Sequence, residues 1–393
     1  MKLVSRDRAP ARLQRLASEG RDVAGFFAAA GEVLETALGV GADLQYWCAV
    51  DPSTHLMTSV HAPTCDMDLD ALMHWEYVED DFNKTAEVAQ HPEGIQTLRE
   101  ATGGNPERSP AYRDYCRPRG LDDEVLVALR SRSGDTWGSV RLNRRVGEPE
   151  FDRADLGFLR AAAPFLAEGV RRGLLVGEAT EPEWPDGPSM LVLDRGLSIE
   201  SMSPGMDRWL AELAGTSSSG GAVPPVVLAV AARVVRRLDG DGPPDAEPLA
   251  RVRAEDGRWL VLHGTPLATA GPSKVAVIVE PASPDRIASL LMAVHELTPR
   301  ERSITHLVLR GAPTTEIASA LGIAPQTVQQ HLKSIFDKTG TRSRRALVGQ
   351  VFFHHYDPRV RDNRLRTVDG KPVRGGPAPA FAAMRPQRGG GGG

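Results

Sequence analysis

Apolar positions divide this chain into stretches of two different periods. Val23, Phe26, Phe27, Ala30, Val33, Leu34 and Leu38 recur at i, i+3, i+4 spacing and predict an amphipathic helix starting at about Asp22. Strand-like stretches follow at Asp43–Val50 and His55–His61, the first ending at the turn residues Asp51, Pro52 and Ser53. Residues 62–120 read as irregular. Glu124–Arg132 and Thr136–Asn143 then alternate around Ser133-Gly134-Asp135, the pattern of a β-hairpin. Asp152–Leu175 closes this region as a long helix with Leu156, Leu159, Ala163, Leu166 and Val170 on its apolar face.

Helix, strands, hairpin and closing helix make an α+β unit over 21–176, preceded by a polar, Arg-bearing N-terminus (1–20) expected to be flexible. The hairpin Asp135-Thr136-Trp137-Gly138-Ser139-Val140 and the closing helix resemble a GAF-type sensor domain. Such a resemblance implies a ligand cavity, and Tyr46, Trp47, Trp75, Tyr77, Phe82 and Trp137 are the candidates to line it. Residues 177–188, rich in Pro, Gly and acid, read as a linker. From 189 to 283 the order changes to a strand pair (Met190–Leu193, Leu197–Ser201), two helices (Met206–Leu213, Val226–Leu238) and three strands (Leu249–Arg253, Arg258–Pro266, Ser273–Glu280). That order is similar to a PAS domain. No internal repeat is visible.

A connecting helix at Pro284–Val294 leads to the most informative segment, 290–355. Thr298, Pro299 and Glu301 form a capping box with proline at the first helical position. Gly311 ends that helix. A short helix, Thr314–Leu321, is joined through Gly322-Ile323-Ala324 to a third that opens at Pro325 and runs to about Lys338. Ser343 caps a fourth. Two short helices around a glycine turn are the pattern of helix-turn-helix DNA binding. At about 100° per residue, Val328, Leu332, Ile335 and Phe336 form one buried stripe, and Gln326, Gln329, Gln330 and Lys333 form a face opposite it. Gln pairs with adenine, and Lys reaches guanine or phosphate. The spacing of Leu297-Thr298-Pro299-Arg300-Glu301, Gly311, Glu316-Ile317-Ala318, Leu321, Thr327-Val328, His331-Leu332, Ile335-Phe336, Lys338 and Ser343-Arg344 resembles the LuxR-type DNA-binding domain. The resemblance implies base contacts from Gln326, Gln329, Gln330 and Lys333. It implies phosphate contacts from Thr314, Thr315, Lys338, Arg342 and Arg344, and dimerisation through Leu347, Val348, Val351 and Phe352. Ala324, Gln329, Pro313 and Ala346 depart from the family pattern. The first and third weaken helix caps, and Gln329 bears on sequence preference.

Charge supports a polyanion partner at this end. From residue 290 onward 16 Lys/Arg face 7 Asp/Glu, although the whole chain carries −4. The tail, 357–393, is basic, rich in Gly and Pro, and expected to be disordered. The chain has 393 residues, 41% of them hydrophobic, enough for several cores. No apolar run approaches the ~20 residues of a membrane span. Three widely spaced cysteines, Cys48, Cys65 and Cys116, argue against a disulfide framework and for a reducing cytoplasm. Cys48, His55, His61, Cys65 and His74 match no zinc spacing, and no phosphate-loop, dinucleotide, nucleophile-elbow or zinc-protease motif is present. The expected fold class is therefore multidomain, with two α+β sensor-type units and an all-α, four-helix helix-turn-helix domain. The expected function is a dimeric, cytoplasmic, non-enzymatic transcriptional regulator without a cofactor, acting on double-stranded DNA with RNA polymerase and answering a small-molecule or protein effector. The alternatives are promoter recognition of the sigma-factor kind and an adaptor whose helix-turn-helix no longer binds DNA.

Overall fold

The computed structural model describes residues 6–62, 69–176, 188–214, 223–240, 247–254, 257–268, 271–282 and 284–353. The sequence-predicted linker, except for its last residue, and the tail lie outside the described residues, as does Cys65.

The N-terminus departs from expectation. Helix α1 (Ala9–Leu16) packs its face of Ala9, Leu13 and Leu16 into the core, with Leu13 fully buried. The three residues follow i, i+4, i+7 spacing, and the arginines between them occupy the opposite face. Helix α2 (Val23–Leu38) starts where Asp22 accepts a hydrogen bond from the Gly25 N–H and stops at Gly39, which takes the left-handed conformation (φ 69°). Strands β1 (Gln45–Val50) and β2 (Met57–His61) form an antiparallel pair. Helices α3 (Leu69–Tyr77) and α4 (Thr85–Gln90), strand β3 (Ile95–Thr97) and helix α5 (Leu98–Ala101) occupy the segment read from sequence as irregular. Strands β4 (Leu121–Arg130) and β5 (Thr136–Arg145) follow, then helix α6 (Arg153–Gly173), capped by Asp152.

The sheet has the order β2-β1-β5-β4-β3 and is covered on both faces. Trp47, Val125, Val127, Trp137, Val140 and Leu142 face α1, α2 and α6. The contact is close: a Cβ at Gly169 of α6 would lie 2.0 Å from the Phe26 ring of α2, so only glycine fits there. Tyr46, Cys48, Leu126, Ser139 and Arg141 alternate onto the other face, toward α3–α5.

The middle unit repeats the plan. Strands β6 (Ser189–Leu193) and β7 (Ile199–Met202) precede helices α7 (Met206–Ala214) and α8 (Pro225–Leu238). Strands β8 (Leu249–Arg253), β9 (Trp259–Leu267) and β10 (Lys274–Pro281) complete the sheet. Its order, β7-β6-β10-β9-β8, is again second-first-fifth-fourth-third. The chain thus contains a topological repeat that its residues do not reveal. Helix α8 is apolar and buried all round from Pro225 to Ala232, with Arg233, Arg236 and Arg237 on one side of its last turns. It lies between its own sheet and the β1–β2–α3 side of the first unit, and the three form one hydrophobic cluster. Gly264 lets it approach, since a Cβ there would stand 2.5 Å from Val234.

The units are tied by a buried ion pair. Arg251 Nη2 and Nε donate to Asp51 Oδ1 and Oδ2, each at 2.8 Å, and Asp51 is fully enclosed. Burial raises the Asp51 pKa, but the Arg251 hydrogen bonds and charge outweigh it and hold the carboxyl below its ordinary value. Helix α9 (Pro284–Val294) then leads to α10 (Pro299–Leu309), α11 (Thr314–Leu321), α12 (Pro325–Thr339) and α13 (Arg344–Phe353). No helix among the described residues is long and apolar enough to cross a membrane.

Candidate nucleic-acid interface and ligand cavity

The terminal four helices share a small core of Ile304, Val308, Ile317, Ala318, Val328, Leu332, Ile335 and Leu347. Thr298 and Glu301 form the reciprocal cap that the sequence predicts: Glu301 N donates to Thr298 Oγ1 at 3.3 Å, and Thr298 N donates to Glu301 Oε2 at 2.8 Å. The same carboxylate receives Ser334 Oγ at 2.6 Å and Lys338 Nζ at 2.7 Å. Burial raises its pKa, but these hydrogen bonds outweigh the penalty and bring Glu301 down to about 2. Glu301 therefore locks the start of α10 to the last turns of α12. Gly322, at φ 64°, makes the turn from α11 into α12. The Ala324 and Pro313 caps carry no side-chain hydrogen bond, in keeping with the two departures read from sequence.

Gln326, Gln329, Gln330 and Lys333 are all exposed on the outer face of α12, with Val328, Leu332 and Ile335 buried behind them. Gln329 Nε2 rests 3.2 Å from Thr314 Oγ1. The phosphate candidates fall into two groups. Thr315 and Arg342 stand exposed. Arg344 donates to Thr314 Oγ1 at 2.7 Å and to Ala312 O at 3.0 Å, bracing α13 against α11. Lys338 is held by Glu301 and by the Glu296 carbonyl. Two cations picked for phosphate thus hold the domain together. Arg345, which the sequence also places on this basic flank, is exposed as Arg342 is. Of the four dimerisation candidates, Leu347 is buried in the core of its own chain and Val348 packs against that core. The side chains of Val351 and Phe352 lie outside the described residues.

A second site opens on the α3–α5 face of the first sheet, a cavity of about 390 Å³. Of the six candidate lining residues it takes Tyr46, Trp75 and Phe82. Trp47 and Trp137 belong to the opposite face, in the α2–α6 core. Neighbours on a strand point to opposite faces, so Tyr46 and Trp47 cannot share one cavity. Tyr77 is also elsewhere, in the core shared with α8, where its hydroxyl accepts the Met57 N–H at 2.8 Å.

Sequence reasoning missed the charged floor. Arg141 Nη1 donates to Glu124 Oε1 at 2.7 Å, and its Nη2 lies 3.4 Å from Glu76 Oε2. Asn83 Nδ2 donates to Glu124 Oε1 at 2.8 Å from a left-handed backbone (φ 59°). Thr85 N donates to Glu76 Oε1 at 2.7 Å. Burial raises the Glu76 pKa against the pull of Arg141, while burial, aided by Glu124, pushes the Cys116 thiol on the wall up to about 12. One signal was visible: Arg141 stands between Val140 and Leu142 inside β5, and a charge at such a position is retained when paired.

Both α+β units contact the C-terminal helices, the middle unit through the connecting helix α9 and the first through α9 and α10. Arg251 Nη1 donates to Ser289 Oγ in α9 at 2.7 Å, Arg171 of α6 donates to the Val294 carbonyl, and Arg302 of α10 pairs with Asp135 of the β4–β5 turn at 2.8 Å.

Residues 295–350 match the family described as bacterial regulatory proteins, luxR family, so a LuxR-type helix-turn-helix domain stands at the C-terminal end. A Mycobacterium bovis protein with the provisional name HTH-type transcriptional regulator Mb0914c is 43% identical over 55 residues, 14% of this chain and 6% of its own length. An Aeromonas salmonicida protein, provisionally an HTH-type transcriptional regulator in the exeN 3' region, is 32% identical over 128 residues, 30% of this chain and 63% of its own. The chain thus spans only a small part of the Mycobacterium bovis relative and somewhat under two thirds of the Aeromonas one. Among solved structures, the phage VqmA–DPO complex aligns with a TM-score of 0.22 at 16% identity, covering 43% of this chain and 83% of that one.

Proposed function

We propose that this chain is a cytoplasmic, DNA-binding transcriptional regulator in which α12 enters the major groove and the two α+β units, one GAF-like and one PAS-like, sense an effector. The observation that carries the reading is the outer face of α12. Gln326, Gln329, Gln330 and Lys333 stand exposed together and free of acid, within a segment that matches the luxR-type family. Thr315, Arg342 and Arg345 flank that face as phosphate contacts. Pairing through the exposed part of α13 would give a homodimer on half-sites about one helical turn apart, placed to meet RNA polymerase. The cavity under α3–α5 takes a small effector. Arg171, Arg251 and Arg302 carry its differential binding to the helix-turn-helix, since an effector shifts only an equilibrium whose two states it binds unequally.

DNA selected from random sequence by the full chain, followed by a gel-shift titration against salt, tests this. The full chain is required because the helix-turn-helix shares one hydrophobic cluster with the first unit through α9. The expected outcome is a two-fold-related site and a steep negative dependence of affinity on salt. Absence of any selected sequence, with flat salt dependence, defeats the reading and favours the adaptor.

A further inference from the structure

The chemistry of the cavity defines what it holds. Its walls are aromatic: Trp75 packs edge-on against Tyr115 with ring centroids 5.2 Å apart, and Tyr46, Phe82 and Tyr112 complete the enclosure. The two cations nearest these rings already have partners. Arg119 stacks on Tyr115 at 3.7 Å and donates to the Tyr115 carbonyl, and Arg108 lies 4.9 Å over Phe82. The floor is asymmetric. Two buried carboxylates, Glu76 and Glu124, face one guanidinium, Arg141, which contacts both. Lys84 lines the cavity, but its ammonium donates to the Glu79 carbonyl. Both oxygens of Glu76 are engaged, Oε1 by Thr85 N–H and Oε2 by Arg141. Glu124 differs. Its Oε1 receives both Asn83 and Arg141, and its Oε2 has no hydrogen-bond donor among the described residues. An acceptor carboxylate oxygen at the base of an aromatic enclosure suits a ligand that brings a protonated nitrogen, because ring faces and carboxylate both attract a cation.

We propose that the cavity beneath α3–α5 binds a small amine with an apolar body, its ammonium donating to Glu124 Oε2 and its body lying against Trp75, Phe82 and Tyr112. The proposal deepens the reading of this cavity as the effector site and rests on it. The volume, about 390 Å³, is at the small end of ligand pockets and favours a single-ring or two-ring molecule.

The test uses the purified full chain without DNA and follows Trp fluorescence and calorimetry on titration with matched probes: benzylamine against benzoate, and tryptamine against indole-3-acetate, with benzyl alcohol as the neutral control. The amines are expected to bind, each at least about tenfold more tightly than its carboxylate partner. Glu124→Gln, which keeps an acceptor for Arg141 and Asn83, should remove that preference. Trp75→Ala, at a partly exposed position, should weaken every probe while leaving the circular dichroism unchanged, and it serves as the test if Glu124→Gln fails to fold. Carboxylates binding as tightly as amines, amine affinity that survives the substitutions, or no binding of any amine at millimolar concentration overturns the proposal. A gel shift on the selected DNA is run separately with and without tryptamine. Amine binding with unchanged DNA affinity supports the site and removes the reading of effector control.

Discussion

The two α+β units share one strand order and differ in how the helices on one face of the sheet fill it. In the first unit α3–α5 leave a cavity with a charged floor at Glu76, Glu124 and Arg141. In the middle unit α8 covers the corresponding face with Val226, Val227, Val230 and Val234, all essentially buried. The topology is therefore compatible with either a receptor or a filled core, and side-chain chemistry decides which. Val and Ala at nearly every turn of α8 give close packing, whereas paired charges under aromatic rings leave room and polarity. Under the proposed function, the first unit would hold the effector and the middle unit would relay its binding.

The largest expected effect lies where the units join. Arg251→Met leaves Asp51 enclosed without its partner and should cost about 3–5 kcal/mol. Urea denaturation should show the loss, and adding Asp51→Leu should recover most of it, because the uncompensated charge is then gone. Both units should unfold in one transition, since they share a core; two separate transitions would break the picture of a joined pair.

Next comes a direct test of filled against open. Leu262→Ala, in the core under α8, should cost about 2–5 kcal/mol. Trp75→Ala, on the cavity wall, should cost less than about 1 kcal/mol because it enlarges a space that is already open. Equal losses in thermal melts would erase the distinction.

The helix-turn-helix offers a smaller effect with a defined pH dependence. Glu301 has a folded pKa near 2, below the ~4.3 of an unfolded glutamate, so its contribution is complete above about pH 5 and is lost as pH falls toward 2. Lys338 stands partly in water, which screens the pair, and the contribution is about 2 kcal/mol. Lys338→Ala should flatten this acid limb. Its effect should appear as lost stability, whereas Arg345→Ala should flatten the salt dependence of DNA binding without a stability change. The reverse assignment in paired melts and gel shifts would show that Lys338 is released to contact phosphate.

The smallest effect is expected at the turn of the first unit. Asp135→Asn removes a partly exposed ion pair with Arg302 and should change stability by under about 1 kcal/mol. If the pair transmits the effector signal, the ligand-induced change in DNA affinity should shrink while affinity without ligand stays constant.

The parts legible in the sequence are those whose local signals agree. Thr298 with Glu301, and Gly311, Gly322 and Gly340 at left-handed positions, bracket helices whose apolar stripe has the helical period, so α10 to α12 were readable nearly to the residue. Strand β3 was not, since three residues, Ile-Gln-Thr, are too few to show alternation. Helix α1 was hidden by the arginines on its outer face. Trp47 was misplaced because residue type was weighed without strand parity, which separates it from Tyr46, and Trp137 and Tyr77 because only long-range packing assigns them to the two cores. The floor required knowing that α3 and α4 fold over β4 and β5, information carried by long-range packing. The repeat was invisible because a shared strand order imposes no shared residues.

The burial of α1 also bears on how the chain is made. Ala9, Leu13 and Leu16 are synthesised long before the α6 surface they pack on, which ends at Gly173. At ~5–20 residues per second, a ribosome needs on the order of 10–30 s to cover that interval. Throughout it the apolar stripe of α1 lacks the α6 surface that it packs on. The first unit therefore cannot close until its last helix has left the ribosome.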